Sequence, residues 1–478
     1  MDDGGIVGSV ELLQKVWKLL ESEGPKIGLF LNPAKCEWSW LNPAKPDPCP
    51  IPGVELVPTD KITMLGVPLG SNEFVSKYVD QELVAAAKKF MKELSDFEDT
   101  QIGLYLLRIS FGIVRAVHFM RTTPFNQWAK QAQQFDSEVR STVESLIGRP
   151  LPPHAYRQAC ITTRYGGLGM RRVEDHATSA FSASWRECAS NCGETWTLPR
   201  GCLPKVVSQK HASDDIDKAA LECLISDSNT REAQRLRRLD SPHANAWLTA
   251  LPSTTDGKDT VMTPLAFRVA VLRLLGLSVL PSPVPCPLCQ QTIDLLGDHA
   301  LCCRKTRDTS TRHNRMRNWV FQLARSGLLN PVMEKKDLLG DTPPGRRRPA
   351  DVLIPLWRYG RGLAIDVAVI CPVAQSHLDE KVPCESYGLF NKHDHYDEDF
   401  MNSQCDFLPM IFESSGGIND EGEKILKQLI RFASKRSRVL HSVYAGRAWA
   451  RMQCVLQTAV AQMILNRIYE PDVSPPPV

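Results

Sequence analysis

The sequence predicts a multidomain α+β protein, and three observations support this class. The chain has 478 residues, which corresponds to about three domains at roughly 100–200 residues each. Hydrophobic residues make up 43% and charged residues 23%, close to globular averages, so wholesale disorder and fibrous repeats are excluded. Helical periodicity dominates the N-terminal part, whereas apolar strands bounded by turns are predicted nearer the C-terminus.

The charge of the chain is unevenly distributed, although the net charge is only +3. Residues 1–100 carry 10 Lys and 16 Asp or Glu, whereas residues 304–336 carry 9 basic and 2 acidic residues. Residues 424–451 carry 8 basic residues and no acidic one. A uniformly basic protein is therefore excluded, but the basic stripes can engage phosphates locally. Solvated helix faces are the alternative interpretation of these stripes.

Targeting signals and cysteine usage bear on the compartment. The N-terminus lacks the basic and apolar segments of a secretory signal, and no run of about 18 uncharged apolar residues occurs. The most apolar stretch, residues 102–120, contains Arg108 and Arg115 and predicts a buried amphipathic helix. The 15 cysteines favour reduced thiols over a disulfide framework. We expect a nuclear or cytoplasmic protein that is neither secreted nor membrane-bound.

The predicted elements follow from apolar spacing and from glycine and proline signals. Before the last 190 or so residues, prolines at 281–285 predict a stiff boundary. The elements before it are a helix over 11–22, a glycine-punctuated strand over 62–70, helices from 73 to about 146, a mixed connector over 191–254 and a helix over 264–275.

A cysteine and histidine pattern opens the C-terminal part. Cys286 and Cys289 form a C-x-x-C turn, and His299 and Cys303 follow one short loop later. Two thiolates, an imidazole and a third thiolate are the tetrahedral ligand set that zinc prefers. We therefore predict a structural zinc site, with Cys302 as the alternative fourth ligand and buried free cysteines as the alternative interpretation.

Two aspartates lie on predicted neighbouring strands. A hairpin centred between Arg358 and Tyr359 places Asp351 directly opposite Asp366, and directly opposed Cβ atoms lie about 4.5–5.5 Å apart. Carboxylates this close on apolar strands repel each other unless a cation lies between them. Mg²⁺ or Mn²⁺ there could activate water for phosphodiester hydrolysis. Strand-end carboxylates facing water are the alternative interpretation.

Other charged residues are candidates to complete this site, although ordinary surface charge is the alternative for each. Lys392 is the preferred lysine for stabilising developing charge, and Lys381 is the second choice. Glu334 is expected at the end of the basic helix that begins near His313, and Glu413 in a strand-to-glycine turn. Candidate phosphate contacts are Arg312, His313, Arg315, Arg346, Arg347 and Arg348.

Together these motifs resemble the C-terminal half of the polyprotein of non-LTR retrotransposons that carry a restriction-like endonuclease. The Cys-Cys-His-Cys knuckle, the Arg312-His313 element and Arg348-Pro349-Ala350-Asp351 with Asp366 carry the resemblance. It implies an α/β nuclease-like domain of the PD-(D/E)xK type. Ala350 separates the usual Pro-Asp pair, and Ala368 occupies the usual lysine position, so the lysine is expected to be displaced to Lys392.

The N-terminal part resembles the same family's polymerase. Asp2 and Asp3 are similar to the paired aspartates of the polymerase hairpin, and residues 28–36 resemble the palm segment with Lys35 near the incoming nucleotide. A two-metal polymerase needs a further carboxylate from an earlier palm strand and nucleotide-binding fingers. The resemblance therefore implies a truncated retroelement protein that cannot polymerise unaided.

The resemblance implies a specific organisation and function. We expect a metal-dependent endonuclease that nicks DNA, with structural zinc and catalytic Mg²⁺ or Mn²⁺; RNA is a second candidate partner. The alternatives are a nucleic-acid-binding remnant without catalysis and a silent scaffold. The predicted domains are a palm remnant (1–80), a helical thumb-like region (81–190), a helical connector (191–280), a zinc knuckle (281–304), the nuclease (305–440) and a C-terminal helix and tail (441–478).

Overall fold

The computed structural model describes residues 4–41, 49–192, 197, 202–203, 208–252, 260–303, 305–335, 338–339, 350–401 and 403–468. They form a mixed α+β structure with small sheets, in agreement with the predicted class. The chain divides into two compact units. The first contains Met1–Lys92, Ile113–Val139 and Arg172–Ser213, and the second contains Glu93–Gly112, Arg140–Arg171 and Asp214–Val478. The finer division into six segments stays a prediction.

The first elements begin at sequence signals for helix caps and turns. Helix α1 (Val10–Glu23) starts where the Ser9 hydroxyl accepts a hydrogen bond from the Leu12 N–H, which confirms the predicted helix over 11–22. The strands that follow are β1 (Glu37–Trp38), β2 (Glu55–Leu56), β3 (Lys61–Met64) and β4 (Val67–Gly70).

The prediction of one strand over residues 62–70 is wrong, because β3 and β4 form an antiparallel hairpin. Leu65 and Gly66 both adopt left-handed backbone angles, with φ of 51° and 73°. Two consecutive residues with positive φ reverse the chain in a tight two-residue turn.

Helices make up most of the next hundred residues, as periodicity predicts. They are α2 (Asn72–Val79), α3 (Ala86–Ser95), α4 (Thr100–Leu106), α5 (Val117–Thr122), α6 (Ala129–Ile147), α7 (Pro153–Cys160) and α8 (Val173–Cys192). A π-helical segment, Asp80–Ala85, joins α2 to α3, and another, Leu107–Phe111, continues α4.

The predicted single helix over 102–120 is interrupted at Gly112, whose ψ of −145° is incompatible with a helix. Among the described residues, the segment Thr100–Thr122 is long enough and apolar enough to cross a membrane. Core helices of soluble proteins satisfy the same criterion. Its first turn packs within the second unit, where the Thr100 hydroxyl donates to the Leu146 carbonyl oxygen at 2.9 Å.

The connector contains α9 (Gln209–Ser226), α10 (Thr230–Leu239) and α11 (Pro264–Leu274). Helix α11 confirms the helix predicted over 264–275. The Thr263 hydroxyl accepts a hydrogen bond from the Ala266 N–H at its start, and Gly276, with φ of 65°, follows its end.

The remaining elements form the knuckle and an α/β region. They are β5 (Val284–Pro285), β6 (Thr292–Ile293), α12 (Asp298–Cys302), α13 (Asp308–Ser326), β7 (Val332–Met333), β8 (Val352–Arg358), β9 (Arg361–Ile370), α14 (Pro383–Gly388), α15 (Asp394–Met401), β10 (Cys405–Glu413), α16 (Asp420–Ser437) and α17 (His441–Ile468).

The α/β region is built on a four-stranded mixed sheet with the order β10-β9-β8-β7. Strands β7, β8 and β9 are antiparallel neighbours, and β10 returns parallel to β9 after α14 and α15. Phe400 of α15 packs on Leu353 and Ala364, while α13 and α16 also contact the sheet. Helix α17 packs against α11, α12, α13 and α16, and so joins the connector, the knuckle and the sheet.

The hairpin register agrees with the sequence prediction at the aspartate end. Val352 pairs with Ile365 and Ile354 with Leu363, and the same register places Asp351 opposite Asp366. The predicted centre between Arg358 and Tyr359 is wrong by one residue, because Arg358 pairs with Arg361 and a bulge lies between the two pairings. The turn itself is Tyr359-Gly360, and both residues have positive φ.

Candidate functional site

The four predicted zinc ligands converge on one point in the knuckle. The ligand atoms of Cys286, Cys289, His299 and Cys303 all lie within 4.8 Å of one another. The Sγ atoms of Cys289 and Cys303 are 3.8 Å apart, and Cys289 Sγ lies 3.1 Å from His299 Nε2. Zinc–sulfur bonds of about 2.3 Å in a tetrahedron put two sulfurs about 3.8 Å apart. The cluster can therefore bind a metal ion such as zinc.

The local backbone prepares the cysteines for metal binding. Strands β5 and β6 form a short hairpin that carries the C-x-x-C turn. Burial opposes ionisation of Cys286, but the N–H groups of Leu288 and Cys289 stabilise its thiolate, and the pKa falls to about 6. Since the thiolate is the metal-binding form, Cys286 is ready to bind at neutral pH.

Arginines anchor the knuckle to the connector. Asp298, which precedes the ligand His299, forms ion pairs with Arg231 of α10 and, at 3.0 Å, with Arg273 of α11. On the other side, a Cβ at Gly297 would contact Ile464 of α17, so the knuckle packs closely there. Cys302, the alternative ligand, lies outside the four-residue cluster, and its thiol interacts with Cys371.

The second candidate site is at the start of the β8–β9 hairpin. The Lys392 Nζ atom lies 2.5 Å from Asp366 Oδ2, in a pair whose side chains are only 17% and 11% exposed. Lys392 reaches Asp366 because a π-helical segment, Leu389–His393, connects α14 to α15 beside the sheet. Asp351, opposite Asp366 in register, completes the group of two carboxylates and one ammonium. The second-choice lysine, Lys381, is exposed.

Asp351 is held in place by two donors. Its Oδ2 atom accepts a hydrogen bond from the Val367 N–H at 2.7 Å, and its Oδ1 atom lies 3.1 Å from His313 Nε2. One helical turn further along α13, Arg317 forms an ion pair with Glu334. Because the Glu334 N–H donates to the Asp351 carbonyl oxygen at 3.0 Å, Glu334 lies beside Asp351 at the edge of this site.

Burial governs the ionisation of the pair at the centre of the site. Burial raises the pKa of Asp366 above its usual value, although Lys392 acts in the opposite direction. For Lys392, burial opposes the charged form, but the Asp366 carboxylate outweighs it and raises the pKa. Lys392 therefore stays charged at neutral pH. The two neighbouring carboxylates, Asp351 and Asp366, still attract a cation.

Several predicted residues lie in other surroundings. Glu334 is beyond the basic helix rather than at its end, because α13 stops at Ser326. Glu413 is four residues along β10 from the position paired with Asp366, and it is completely buried. Its carboxylate binds Arg238 Nε at 2.8 Å and the Cys384 N–H at 3.2 Å. Glu413 therefore holds the connector against the sheet instead of supporting the aspartate pair.

The predicted phosphate contacts also differ in their accessibility. Arg312 is only 5% exposed and donates to the Val369 carbonyl oxygen at 2.9 Å, so it is not available to a phosphate. His313 faces Asp351, whereas Arg315 is exposed on α13. In the N-terminal part, Lys35 is exposed at the end of a short 3₁₀ helix. Asp2, Asp3, Arg346, Arg347 and Arg348 lie outside the described residues.

The sequence analysis did not predict two sets of contacts: those of His313 and Arg317 with the acidic edge of the site, and that of Arg238 with Glu413. The positions of His313 and Arg317, four residues apart on a predicted helix, indicate that they share one face. That spacing could have suggested that both side chains contact the same acidic edge. The buried pairing of Arg238 with Glu413 had no comparable signal, because 174 other residues separate them in the chain.

Comparison with known proteins identifies no relative of this chain by family model or by curated sequence.

Proposed function

We propose that this chain is a metal-dependent DNA endonuclease module of a retroelement protein. The observation that carries the proposal is the cluster of Asp351, Asp366 and Lys392 at one end of the hairpin, with Lys392 2.5 Å from Asp366. Two carboxylates opposed across a hairpin, with a lysine from a neighbouring helical segment beside them, are groups that metal-assisted phosphodiester hydrolysis can use. The restriction-like endonucleases of non-LTR retrotransposons combine such a site with an upstream Cys-Cys-His-Cys knuckle, as this sequence does.

Each side chain of the site has a distinct role in this proposal. Asp351 and Asp366 would hold a Mg²⁺ or Mn²⁺ ion, which supplies Lewis-acid activation of the phosphodiester and of a bound water. Lys392 places a positive charge next to the phosphate and stabilises the negative charge that develops there. His313 and the Val367 N–H hold the Asp351 carboxylate in a fixed orientation, so less reorganisation is needed on metal binding.

One observation favours the alternative, a nucleic-acid-binding remnant without catalysis. The direct ion pair with Lys392 already neutralises Asp366, so a metal ion must compete with the ammonium group for this carboxylate. In that case the knuckle and the basic surfaces still bind nucleic acid, while cleavage is lost.

Nicking of plasmid DNA by the full chain tests the proposal. With added Mg²⁺ or Mn²⁺, we expect conversion of supercoiled plasmid to the nicked form. The variants Asp351→Asn, Asp366→Asn and Lys392→Ala should each reduce it to background. Titration with Mn²⁺, followed by electron paramagnetic resonance, should show weaker binding in both aspartate variants.

Matched variants control for charge and for the fold. Lys381→Ala removes an exposed lysine of the same region, and Asp406→Asn alters an exposed aspartate of the same sheet. Both should nick at the parental rate. Nicking that persists in Asp351→Asn and Asp366→Asn would overturn the catalytic assignment, whereas a parent that binds DNA without nicking it would support the alternative.

A further inference from the structure

Helix α16 carries a row of basic side chains along its solvent face. Ile425, Leu429 and Ala433 are buried against the rest of the second unit. At about 100° per residue, the four basic positions fall within an arc of about 80° on the opposite side of the helix. This row, the basic stripe, consists of the exposed residues Lys424, Lys427, Arg431 and Lys435.

The basic stripe is largely unneutralised. Lys427 pairs with Glu423 at 2.9 Å, whereas Lys424, Arg431 and Lys435 make no ion pair with any other described residue. Three charged side chains that form no ion pair within the described part of the chain lie on one helix face and make a local positive surface, although the net charge of the chain is only +3.

The tip of the β8–β9 hairpin lies along the flank of the same helix. Arg358 hydrogen-bonds to the Gln428 side chain, and the rings of Trp357 and Phe432 meet edge to face with centroids 6.0 Å apart. Gln428 and Phe432 are one turn apart and adjoin the basic stripe. The hairpin tip and the stripe therefore belong to one continuous surface.

Tyr359 at this tip is held in an unusual conformation. Its side chain is fully exposed, and its φ is 50°, a left-handed value that bulky residues rarely adopt. Turns of this type normally carry Asn or Asp at this position, followed by Gly as here. Tyrosine is therefore unfavourable in this turn, and its fully exposed side chain gains no stabilisation from burial.

This surface also connects to the aspartate site. In the first turn of α16, Glu421 lies 3.0 Å from Nε2 of His393, the residue that follows Lys392. The stripe begins one turn further along the helix and extends for about 16 Å, the length of about five base pairs of duplex.

We propose that the basic stripe and the hairpin tip bind the backbone of duplex DNA, with the stripe on the phosphates and Tyr359 against the sugars at a groove edge. The inference rests on the proposed function, because the duplex is the substrate of the proposed nuclease. Arg431 and Lys435 lie in the C-terminal half of α16, where positive charges interact favourably with the helix dipole. If this structural role were their only one, replacing them would leave DNA binding unchanged.

The test measures binding without cleavage. A fluorescent 20-base-pair duplex is titrated with the full chain in buffer without added Mg²⁺ or Mn²⁺, and anisotropy is followed at several salt concentrations. Replacing all four stripe residues by Gln should weaken binding by about tenfold or more. The slope of log affinity against log salt concentration should become shallower by about 0.9 for each phosphate that the variant no longer neutralises.

A matched variant removes four exposed charges from the other unit: Lys15→Gln, Lys18→Gln, Lys89→Gln and Lys92→Gln. It should bind the duplex within twofold of the parent. An equal loss of affinity in both variants, or no loss in the stripe variant, would overturn the proposal. So would a single-stranded RNA of equal length that binds more tightly than the duplex and depends equally on the stripe.

Tyr359→Asn provides an independent readout. Because Asn tolerates left-handed backbone angles, the melting temperature should rise while the affinity for duplex falls. If Tyr359 has only a structural role, its substitution should change the melting temperature and the affinity for duplex in the same direction. That result would exclude the hairpin tip from the DNA-binding surface. Since no divalent ion is added, these results hold whether or not the parent nicks DNA, and so distinguish failure of this inference from failure of the nuclease assignment.

Discussion

The knuckle and the aspartate site lie in the same unit but are assembled in different ways. All four ligands of the knuckle lie between Cys286 and Cys303, on one hairpin and one short helix. The aspartate site takes Asp351 from the residue before β8, Asp366 from β9, Lys392 from a segment between two helices and His313 from α13. The knuckle cluster, which could hold a metal ion, therefore depends on local chain geometry, whereas the aspartate site depends on correct packing of the whole sheet.

Metal removal should have the largest effect and should act first on the knuckle. A strong zinc chelator, or Cys286→Ser, should unfold it, because structural zinc contributes on the order of 10 kcal/mol to the folding of such small segments. The loss should also loosen α17, since Ile468 packs on the knuckle cluster. Zinc content and thermal melting followed by circular dichroism measure this effect.

The control for the cysteine substitution is Cys188→Ser, which changes an exposed cysteine outside the cluster. It should retain zinc and the parental melting temperature. A chelator that removes the metal and leaves the melting curve unchanged would contradict the structural role of the site.

The aspartate site should instead be sensitive to the loss of one buried charge. Lys392→Met leaves Asp366 buried without its partner, which should cost about 3 kcal/mol in the free energy of unfolding. Urea denaturation measures the loss, and zinc content should remain at the parental level. In the double variant with Asp366→Asn, part of the stability should return; equal losses in the single and double variants would argue against coupling.

The two sites should respond to pH in opposite directions. Because burial raises the pKa of Asp366, the folded chain holds this proton more tightly than the unfolded chain. The contribution of Asp366 to stability is therefore greatest below about pH 4 and falls as pH rises through the raised pKa. The pKa of Cys286 is lowered to about 6, so its contribution is present at high pH and is lost as pH falls through about 6.

Melting temperatures across pH 4–8 test this contrast. Asp366→Asn should abolish the decline at rising pH and leave the loss at falling pH unchanged. Identical pH profiles for the parent and Asp366→Asn would show that this carboxyl titrates normally.

The smallest effect is expected for an exposed ion pair of the same sheet. Arg361 and Asp406 are 2.7 Å apart, but their side chains are 43% and 50% exposed. Asp406→Ala should change the free energy of unfolding by less than about 1 kcal/mol. Denaturation alongside Lys392→Met makes the comparison, and equal losses would mean that burial is not what distinguishes the two pairs.

The parts predicted from sequence are those in which spacing along the chain determines separation in space. Apolar periodicity predicted α1 and α11, and a hairpin between two apolar strands predicted that Asp351 and Asp366 oppose each other. Left-handed residues were the main source of error. They converted the expected strand over 62–70 into a hairpin and, together with a bulge, moved the β8–β9 turn by one residue.

Surroundings that depend on distant segments could not be predicted in this way. Glu413 and Arg312 are charged residues in sequence contexts that suggested a place in the site. In the structure, both are buried among partners from other elements. A charged residue in a sequence carries no information about which distant backbone carbonyl or guanidinium will reach it.

The sequence by itself predicted which four residues form the knuckle cluster and that the two aspartates oppose each other. The knuckle residues follow one another closely in the chain, so few backbone conformations fit their spacing. The two aspartates stand at the open end of one hairpin, in which a bulge offsets the one-residue error in the predicted turn. Only the tertiary structure decided that Lys392 lies against Asp366, that His313 holds Asp351 and that α16 presents its basic stripe beside the hairpin tip. Those contacts join segments far apart in the chain, and their positions are set by how helices pack on the sheet.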